Sequence, residues 1–381
     1  MQIKNKKLQV PIIQGGMGIG VSLGKLAGNV AKCGGMGVIS SVNAGYREKD
    51  FLKKPKEANE RAFQEEIRKA KRISEGNGLI GVNIMVATCA YEEMAKIAVE
   101  EGADAIISGA GMPLNLPEIT KGTSTLAAPI VSSGKAAQLI CKVWDKKYDV
   151  VPDFIVIEGS QAGGHLGFKR EELLEGTASS LDRILAEVME AIAPYEEKYS
   201  YQIPIFVAGG IYDKNEIEHF MKIGACGVQI GSRFIATEEC DASDGYKQII
   251  LNAGEQDILI VKSPVGMPGR AVKSPLIQDL EEGQTFPPET CNLCIKACPH
   301  GNRTPYCISS ALIDAVNGKW ETGLFFCGAN IGKVDKIVKV KELMEELWGG
   351  TKNENSVFIC GTGKSESWHG KRYLRTFPPI S

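Results

Sequence analysis

Eight short aliphatic runs recur along the first 232 residues: VPIIQ (10–14), MGVISS (36–41), LIGVNIM (79–85), DAIISG (104–109), APIVSS (128–133), DFIVIEG (153–159), PIFVAGG (204–210) and GVQIGS (227–232). Each is apolar on both faces, so each needs cover above and below, the condition of a parallel strand flanked by helices. Helical stretches lie between them; the first begins near Ser22 and stops at the Gly34-Gly35 pair. Doubly wound sheets usually end at about five to seven strands, so eight regular repeats favour an α/β fold of the closed (β/α)8 TIM-barrel type.

Residues 46–77 are charged and read as a helical insertion on the outside of the barrel. After Phe234 the pattern changes to a helix near 244–253, a Pro/Gly-rich segment KSPVGMPGRAVKSP, a loop GQTFPPET, a cysteine-rich block and a charged helix VKVKELMEELW. The expected division is a barrel over 1–275, a cysteine-rich, partly helical C-terminal extension over 276–350, and a tail over 351–381 without periodicity, expected to be partly disordered.

A composition of 43% hydrophobic and 24% charged residues suits one large core, and a net charge of -2 carries no nucleic-acid footprint. The apolar runs are too short and interrupted to cross a bilayer. Met1 to Gln9 is basic and polar and runs straight into a strand, unlike a secretion signal. A cytoplasmic enzyme with a small-molecule substrate is expected, with a second copy of the chain as a candidate partner.

Barrel enzymes work at the carboxyl ends of their strands. Here the first run ends Gly15-Gly16-Met17, the third carries Asn83, the sixth ends Glu158-Gly159-Ser160-Gln161-Ala162-Gly163-Gly164-His165, the seventh Ala208-Gly209-Gly210 and the eighth Gly231-Ser232. Bare backbone N–H groups after the seventh and eighth strands suit a phosphate. One Gly-Gly pair would be an ordinary turn; the same feature at four strand ends points to a phosphate-bearing ligand. Gly15, Gly16 and Met17 would border its flat part, and Asn83 would offer its amide to the edge. Of four histidines, His165 stands at a strand mouth, where an imidazole titrating near neutrality suits a base acting on a carbon acid. His219 reads as a surface or packing residue.

PIIQGGMGIG, GVNIM, EGSQAGGHLG, PIFVAGGI and GVQIGSRF, collinear over residues 8 to 275, resemble the nitronate monooxygenase family, formerly 2-nitropropane dioxygenases. Its superfamily includes flavin-dependent enoyl-acyl-carrier-protein reductases. The resemblance implies a TIM barrel with non-covalent FMN. It places Gly16 and Met17 beside the isoalloxazine, Asn83 at its edge, and Glu158 and Gln161 near the ribityl chain and ring. Ala208, Gly209, Gly210, Gly231 and Ser232 would hold the phosphate, Gly163 and Gly164 would also contact the cofactor, and the base His165 would face substrate over the flavin. The implied reaction is oxidation of alkyl nitronates, or nitroalkanes after proton removal, to a carbonyl compound and nitrite with O2. The alternative is an NAD(P)H-dependent reductase of enoyl thioesters, which the same motifs would serve. A flavin- or phosphate-binding module without turnover is a third reading, against which His165 argues.

Of eleven cysteines, Cys33, Cys89, Cys141, Cys226 and Cys240 are scattered as small apolar fillers, and six lie beyond residue 290. Cys291-x2-Cys294-x3-Cys298-Pro299-x8-Cys307 is followed by Cys327. Clustered cysteines in a cytoplasmic protein bind metal more often than they form disulfides, and a Cys-Pro ending resembles iron–sulfur ligation. The spacing matches neither a bacterial ferredoxin run nor a zinc ribbon, so zinc, iron–sulfur and buried thiols in a small helical cap all stand as readings, with His300 a candidate further ligand.

Overall fold

The computed structural model describes residues 1–349 other than 290, 292, 293 and 300. The expected tail disorder, and His300 as a ligand, lie outside the described residues. The eight runs form strands β1 (Ile12–Gln14), β2 (Met36–Ser40), β3 (Leu79–Met85), β4 (Ala105–Gly109), β5 (Leu126–Val131), β6 (Ile155–Glu158), β7 (Ile205–Ala208) and β8 (Gly227–Ile230). Each pairs in parallel with its neighbour, and β8 returns to β1 with Gln229 opposite Ile13, closing the barrel. Buried Gln14 adds a side-chain clamp, accepting from Val38 N at 3.1 Å and donating to Val38 O at 3.2 Å.

Most strands are shorter than the apolar runs because the residues at their ends have other work. Gly209 and Gly210 take φ of +97° and +89°, a conformation that leaves the extended region and that glycine alone adopts readily. Ser133 leaves β5 to cap the helix Gly134–Tyr148, accepting from Ala136 N.

Inside the barrel, alternate residues pack into a closed core of Ile13, Val38, Ile107, Ala128, Val156 and Phe206, with Phe154 and Phe206 edge-on at 5.6 Å. The N-terminal residues, basic and polar on average, form a hairpin (Gln2–Ile3 with Lys6–Lys7) that plugs the amino end of the barrel with Ile3 and Leu8. Lys4 and Lys6 tie it down through Asp153 and Asp104. A second, larger core lies between strands and helices.

Residues 46–77 contain the helix Pro55–Ser74, which stands between β2 and β3 and buries Ala58, Phe63, Ile67 and Ala70. It is the crossover helix of that βαβ unit, not an addition to it. The helix Val340–Trp348 is similarly integral. Its Val340, Leu343, Met344 and Leu347, at one-face spacing, are buried between the helices Gly24–Lys32 and Lys214–Lys222. Glu346 accepts both hydrogen bonds from Arg233 at 2.8 and 2.9 Å. The last described helix thus fills the eighth helix position of the barrel.

The Pro/Gly-rich segment KSPVGMPGRAVKSP belongs to a hairpin, Ile258–Lys262 with Pro268–Val272, whose second strand pairs with Gly164–His165. Among the cysteines expected as core fillers, Cys141 and Cys240 are buried and Cys33 is half-buried, but Cys89 is exposed in the loop after β3. Among the described residues no helix is long and apolar enough to cross a membrane.

Candidate active site

At the carboxyl ends of the strands lies a cavity of about 490 Å³. Its wall contains Gly15, Gly16 and Met17 after β1, Asn83 of β3, Glu158, Gln161, Gly163, Gly164 and His165 from β6 and its loop, Ala208, Gly209 and Gly210 at β7, and Gly231 and Ser232 at β8. Every residue singled out in the barrel sequence for the site reaches this one space. The reason is topological: parallel strands of one barrel all end on the same rim.

The glycines serve different purposes. A Cβ on Gly16 would stand 2.3 Å from Cβ of Asn83, and one on Gly210 would stand 2.3 Å from Oε1 of Gln161, so both allow close approach of neighbours across the mouth. A Cβ on Gly163 would lie 2.5 Å from the carbonyl carbon of Cys327, so this glycine admits the C-terminal segment. Gly231 has an ordinary φ of -109° and open space, with Met17 Sδ 3.5 Å from the Cβ position, and the short helix Ser232–Ile235 starts directly after it. Free space, a helix start and the bent Gly209-Gly210 backbone together make a cradle able to take an anion after the seventh and eighth strands.

His165 is held more firmly than a loop histidine. Its backbone pairs with Gly269, its Nε2 lies 2.9 Å from Ser263 Oγ, and its ring stands edge-on to Phe326 at 5.2 Å. Burial pushes its pKa from 6.5 down to about 4, so the ring is neutral at physiological pH and does not titrate near neutrality as the sequence suggested. Glu158, at the end of β6, has the opposite response to the same cause: burial raises its carboxyl to about 7. Asn83 donates its amide to Ile107 O at 3.2 Å, which turns the side chain across the barrel mouth.

Met85, Met112 and Ile130 on the cavity wall were not singled out from sequence, and neither were several residues from beyond 255. Arg270 donates to the carbonyls of Ser160 and Ala162, fixing the loop that carries Gln161 and His165. The segment 325–327 runs alongside the second hairpin strand, with Val272 N donating to Phe325 O and Cys327 N to Arg270 O. Gly328 N then donates to Ser232 Oγ at 2.8 Å and Asn330 Nδ2 to Gly210 O at 2.7 Å. The extension therefore closes over the β6, β7 and β8 loops. The alternation in ILIVK and GRAV around a Gly-containing turn was the available hairpin signal; nothing in FFCGAN announced where it would dock. His219 makes a surface pair with Asp182 at 2.7 Å.

The nitronate monooxygenase family model matches residues 1–350. A Rhodococcus jostii protein named (3aS,4S,5R,7aS)-5-hydroxy-7a-methyl-1-oxo-octahydro-1H-indene-4-carboxyl-CoA dehydrogenase is 25% identical over 72% of this chain, which spans 65% of that protein's length. A Staphylococcus aureus protein named "Probable nitronate monooxygenase" is 26% identical over 72% of this chain and 78% of its own. The FabK structure from Thermotoga maritima superposes with a TM-score of 0.67 at 24% identity, covering 89% of this chain and 92% of that one, a likeness of fold.

Proposed function

Because the chain belongs to the nitronate monooxygenase family, we propose that it is an FMN-dependent oxidoreductase that converts alkyl nitronates, and nitroalkanes after proton removal, to a carbonyl compound and nitrite with O2. The observation that carries this reading is a neutral, positioned imidazole on the wall of a cavity whose far side is an open glycine cradle. The cavity volume fits a flavin mononucleotide with a small substrate. Gly209, Gly210, Gly231 and Ser232 would take the single phosphate, Gly16 and Met17 the ring face, and Asn83, Glu158 and Gln161 the ring edge and ribityl chain. FMN, when bound by these residues, would supply the electron acceptor between substrate and dioxygen.

His165 does the proton work. The α-hydrogen of a nitroalkane is acidic because the negative charge of its conjugate base spreads onto the nitro oxygens. The ring takes that proton onto imidazole nitrogen and becomes a cation beside the anion it has made. Ser263, hydrogen-bonded to Nε2, sets the ring's rotation before substrate arrives, and Arg270 holds the loop that carries it. The extension covers the β6, β7 and β8 side of the cavity.

The dehydrogenase relative and the FabK likeness bear on the second reading, a nicotinamide-dependent reductase of enoyl thioesters. One feature favours it: Met85, Met112, Ile130 and Leu312 give the cavity an apolar flank suited to an acyl chain. Anaerobic mixing separates the two. Bleaching of the bound flavin by propionate 3-nitronate and not by NADH is the expected result. Bleaching by NADH alone, with enoyl thioester restoring the colour, would replace the proposal with the reductase. Flavin released by denaturation should run as FMN; FAD would show the cradle to be misread.

A further inference from the structure

Cys291, Cys294, Cys298 and Cys307 lie outside the barrel-mouth cavity, and among the described residues no group of three His, Cys, Asp or Glu is gathered that could hold a metal ion. The cavity itself is uneven in chemistry. Among the described residues its acidic and basic side chains, Glu158, His165 and Arg233, all belong to β6 or to the segments that follow β6 and β8. From the ends of β3, β4 and β5 come instead Met85, Met112 and Ile130, and from the helix Gly134–Tyr148 come Ala136 and Ile140. In the closed order of the barrel β3 and β4 stand four strands away from β7 and β8, so this apolar sector lies across the mouth from the glycine cradle. It also lies beside the imidazole. β5 pairs with β6, and a Cβ on Gly167 would stand 2.7 Å from Ser132 Oγ, so the loop that carries His165 abuts the end of β5.

Resting on the reading of this cavity as a flavin and substrate site, we propose that the sector from β3 to β5 is a subsite for a hydrocarbon chain on the substrate, selected by Met112, Ala136 and Ile140. An acidic carbon held at His165 sends its chain into this sector and away from the cradle. The depth of the space requires such a chain. Ala136 and Ile140 are one helical turn apart, about 6 Å along the axis, and both reach the cavity, so the space continues past the strand ends onto the flank of the helix. A substrate the size of nitroethane leaves that wall uncovered.

The sector is also built before any substrate arrives. Ala110 and Gly111, with φ of +51° and +129°, turn the chain directly after β4. A Cβ on Gly111 would lie 3.0 Å from Cβ of Val86, so the turn packs against the residue that follows β3. On the other side Trp144 Nε1 donates to Pro113 O at 3.1 Å and ties the same loop to the helix. Met112 is held between these two anchors. It lines the cavity and is nevertheless 42% exposed, which places it where the sector meets solvent. Its flexible thioether adapts to chains of different length. A charged tail would lose water here without gaining a counter-charge, whereas each methylene gains by leaving water. The chain can belong to a nitronate or to an enoyl thioester, and the subsite's chemistry is the same for both.

The test is calorimetric titration of the full chain, as purified, with straight-chain carboxylates from acetate to octanoate, whose planar anions resemble a nitronate and do not react. Affinity should rise about threefold for each methylene added between butanoate and hexanoate. Met112→Glu, at an exposed position, should reduce that increment to less than about 1.5-fold, and Ala136→Phe, which fills the helix flank, should end the rise at a shorter chain. Met189→Ser, on the outer surface of the barrel, should keep the wild-type increment. Affinity independent of chain length in wild type, or the wild-type increment retained in both Met112→Glu and Ala136→Phe, would overturn the subsite. Should Ala136→Phe fail to fold, the wild-type series and Met112→Glu decide. Because the carboxylates are not turned over, the increment is read whether or not nitronates are oxidised; an intact increment with no flavin reduction by any nitronate removes the proposed reaction and leaves the subsite standing. Parallel kcat/KM series with n-alkyl nitronates and with enoyl thioesters then identify which head group carries the chain.

Discussion

Replacing His165 by asparagine tests the proton step, and the structure specifies how. The ring's pKa of about 4, down from 6.5, means that at pH 6.5 roughly 0.3% of it is charged, against about half for a free imidazole. Protonating it in the cavity costs about 3 kcal/mol relative to water. Proton transfer from a nitroalkane places a new negative charge beside the new cation. At about 4 Å and an effective dielectric of about 20 that attraction is worth roughly 4 kcal/mol, enough to offset the cost. The ring is thus a poor base toward water and a competent one toward a substrate that becomes an anion. In wild type, kcat/KM for a neutral nitroalkane should be level from about pH 5.5 to 7 and fall only as pH drops toward about 4, because the neutral ring is the active form. His165→Asn should keep its flavin and lower nitroalkane turnover by about 10²–10⁴-fold. A preformed nitronate has already lost its proton and should lose much less. Stopped-flow flavin reduction under nitrogen, with each substrate across pH, gives both numbers. An acidic limb between pH 6 and 7 would show that the ring is solvated, and equal losses on the two substrates would remove it from the proton step.

Gly231→Ala should fold and retain flavin, since φ and space permit a methyl group, whereas Gly231→Asp should lose flavin by at least about 100-fold in affinity by setting a carboxylate against the phosphate; fluorescence titration of apoprotein decides, and equal binding by both variants would move the phosphate elsewhere. Glu158, raised to about 7, is neutral below that pH and anionic above it. Flavin affinity should therefore weaken by about tenfold between pH 6 and 8, with the dependence abolished in Glu158→Gln; a wild-type titration as flat as the variant's would show that this carboxyl does not face the flavin. Gly163→Ala drives a methyl into the Cys327 carbonyl and should cost about 1–3 kcal/mol of stability, with flavin loss as the 328–330 segment lifts. An unchanged melting temperature together with full flavin content would contradict that account of the glycine.

The glycine-rich strand ends were legible because barrel closure needs no detail beyond strand order. Once β1 to β8 are parallel and sequential, Gly16, Asn83, Glu158, His165, Gly209 and Ser232 must share a rim. The environment of those residues was not legible. Burial is a sum over neighbours from distant segments; it gives His165 its low pKa, and Ser263 and Phe326, roughly 100 and 160 positions away, hold its ring. The same limit explains why the charged residues 46–77 looked like an addition. Their polarity describes the outer face of the helix Pro55–Ser74, while the inner face needs only Phe63, Ile67 and two alanines to pack.

The sequence by itself determined the strand count, the order of the sheet, the end of the barrel that holds the site and the identity of several groups on its wall, because apolar periodicity and glycine placement are local properties that parallel topology converts directly into position. Only the tertiary structure decided how the region after residue 255 completes the site: its hairpin backs His165, its 325–330 segment lies over the β6–β8 side of the cavity, and its final described helix stands in the barrel's eighth place. Those contacts join segments far apart in the chain through shape and unpaired backbone groups, and neither of these is written in the local pattern of either segment.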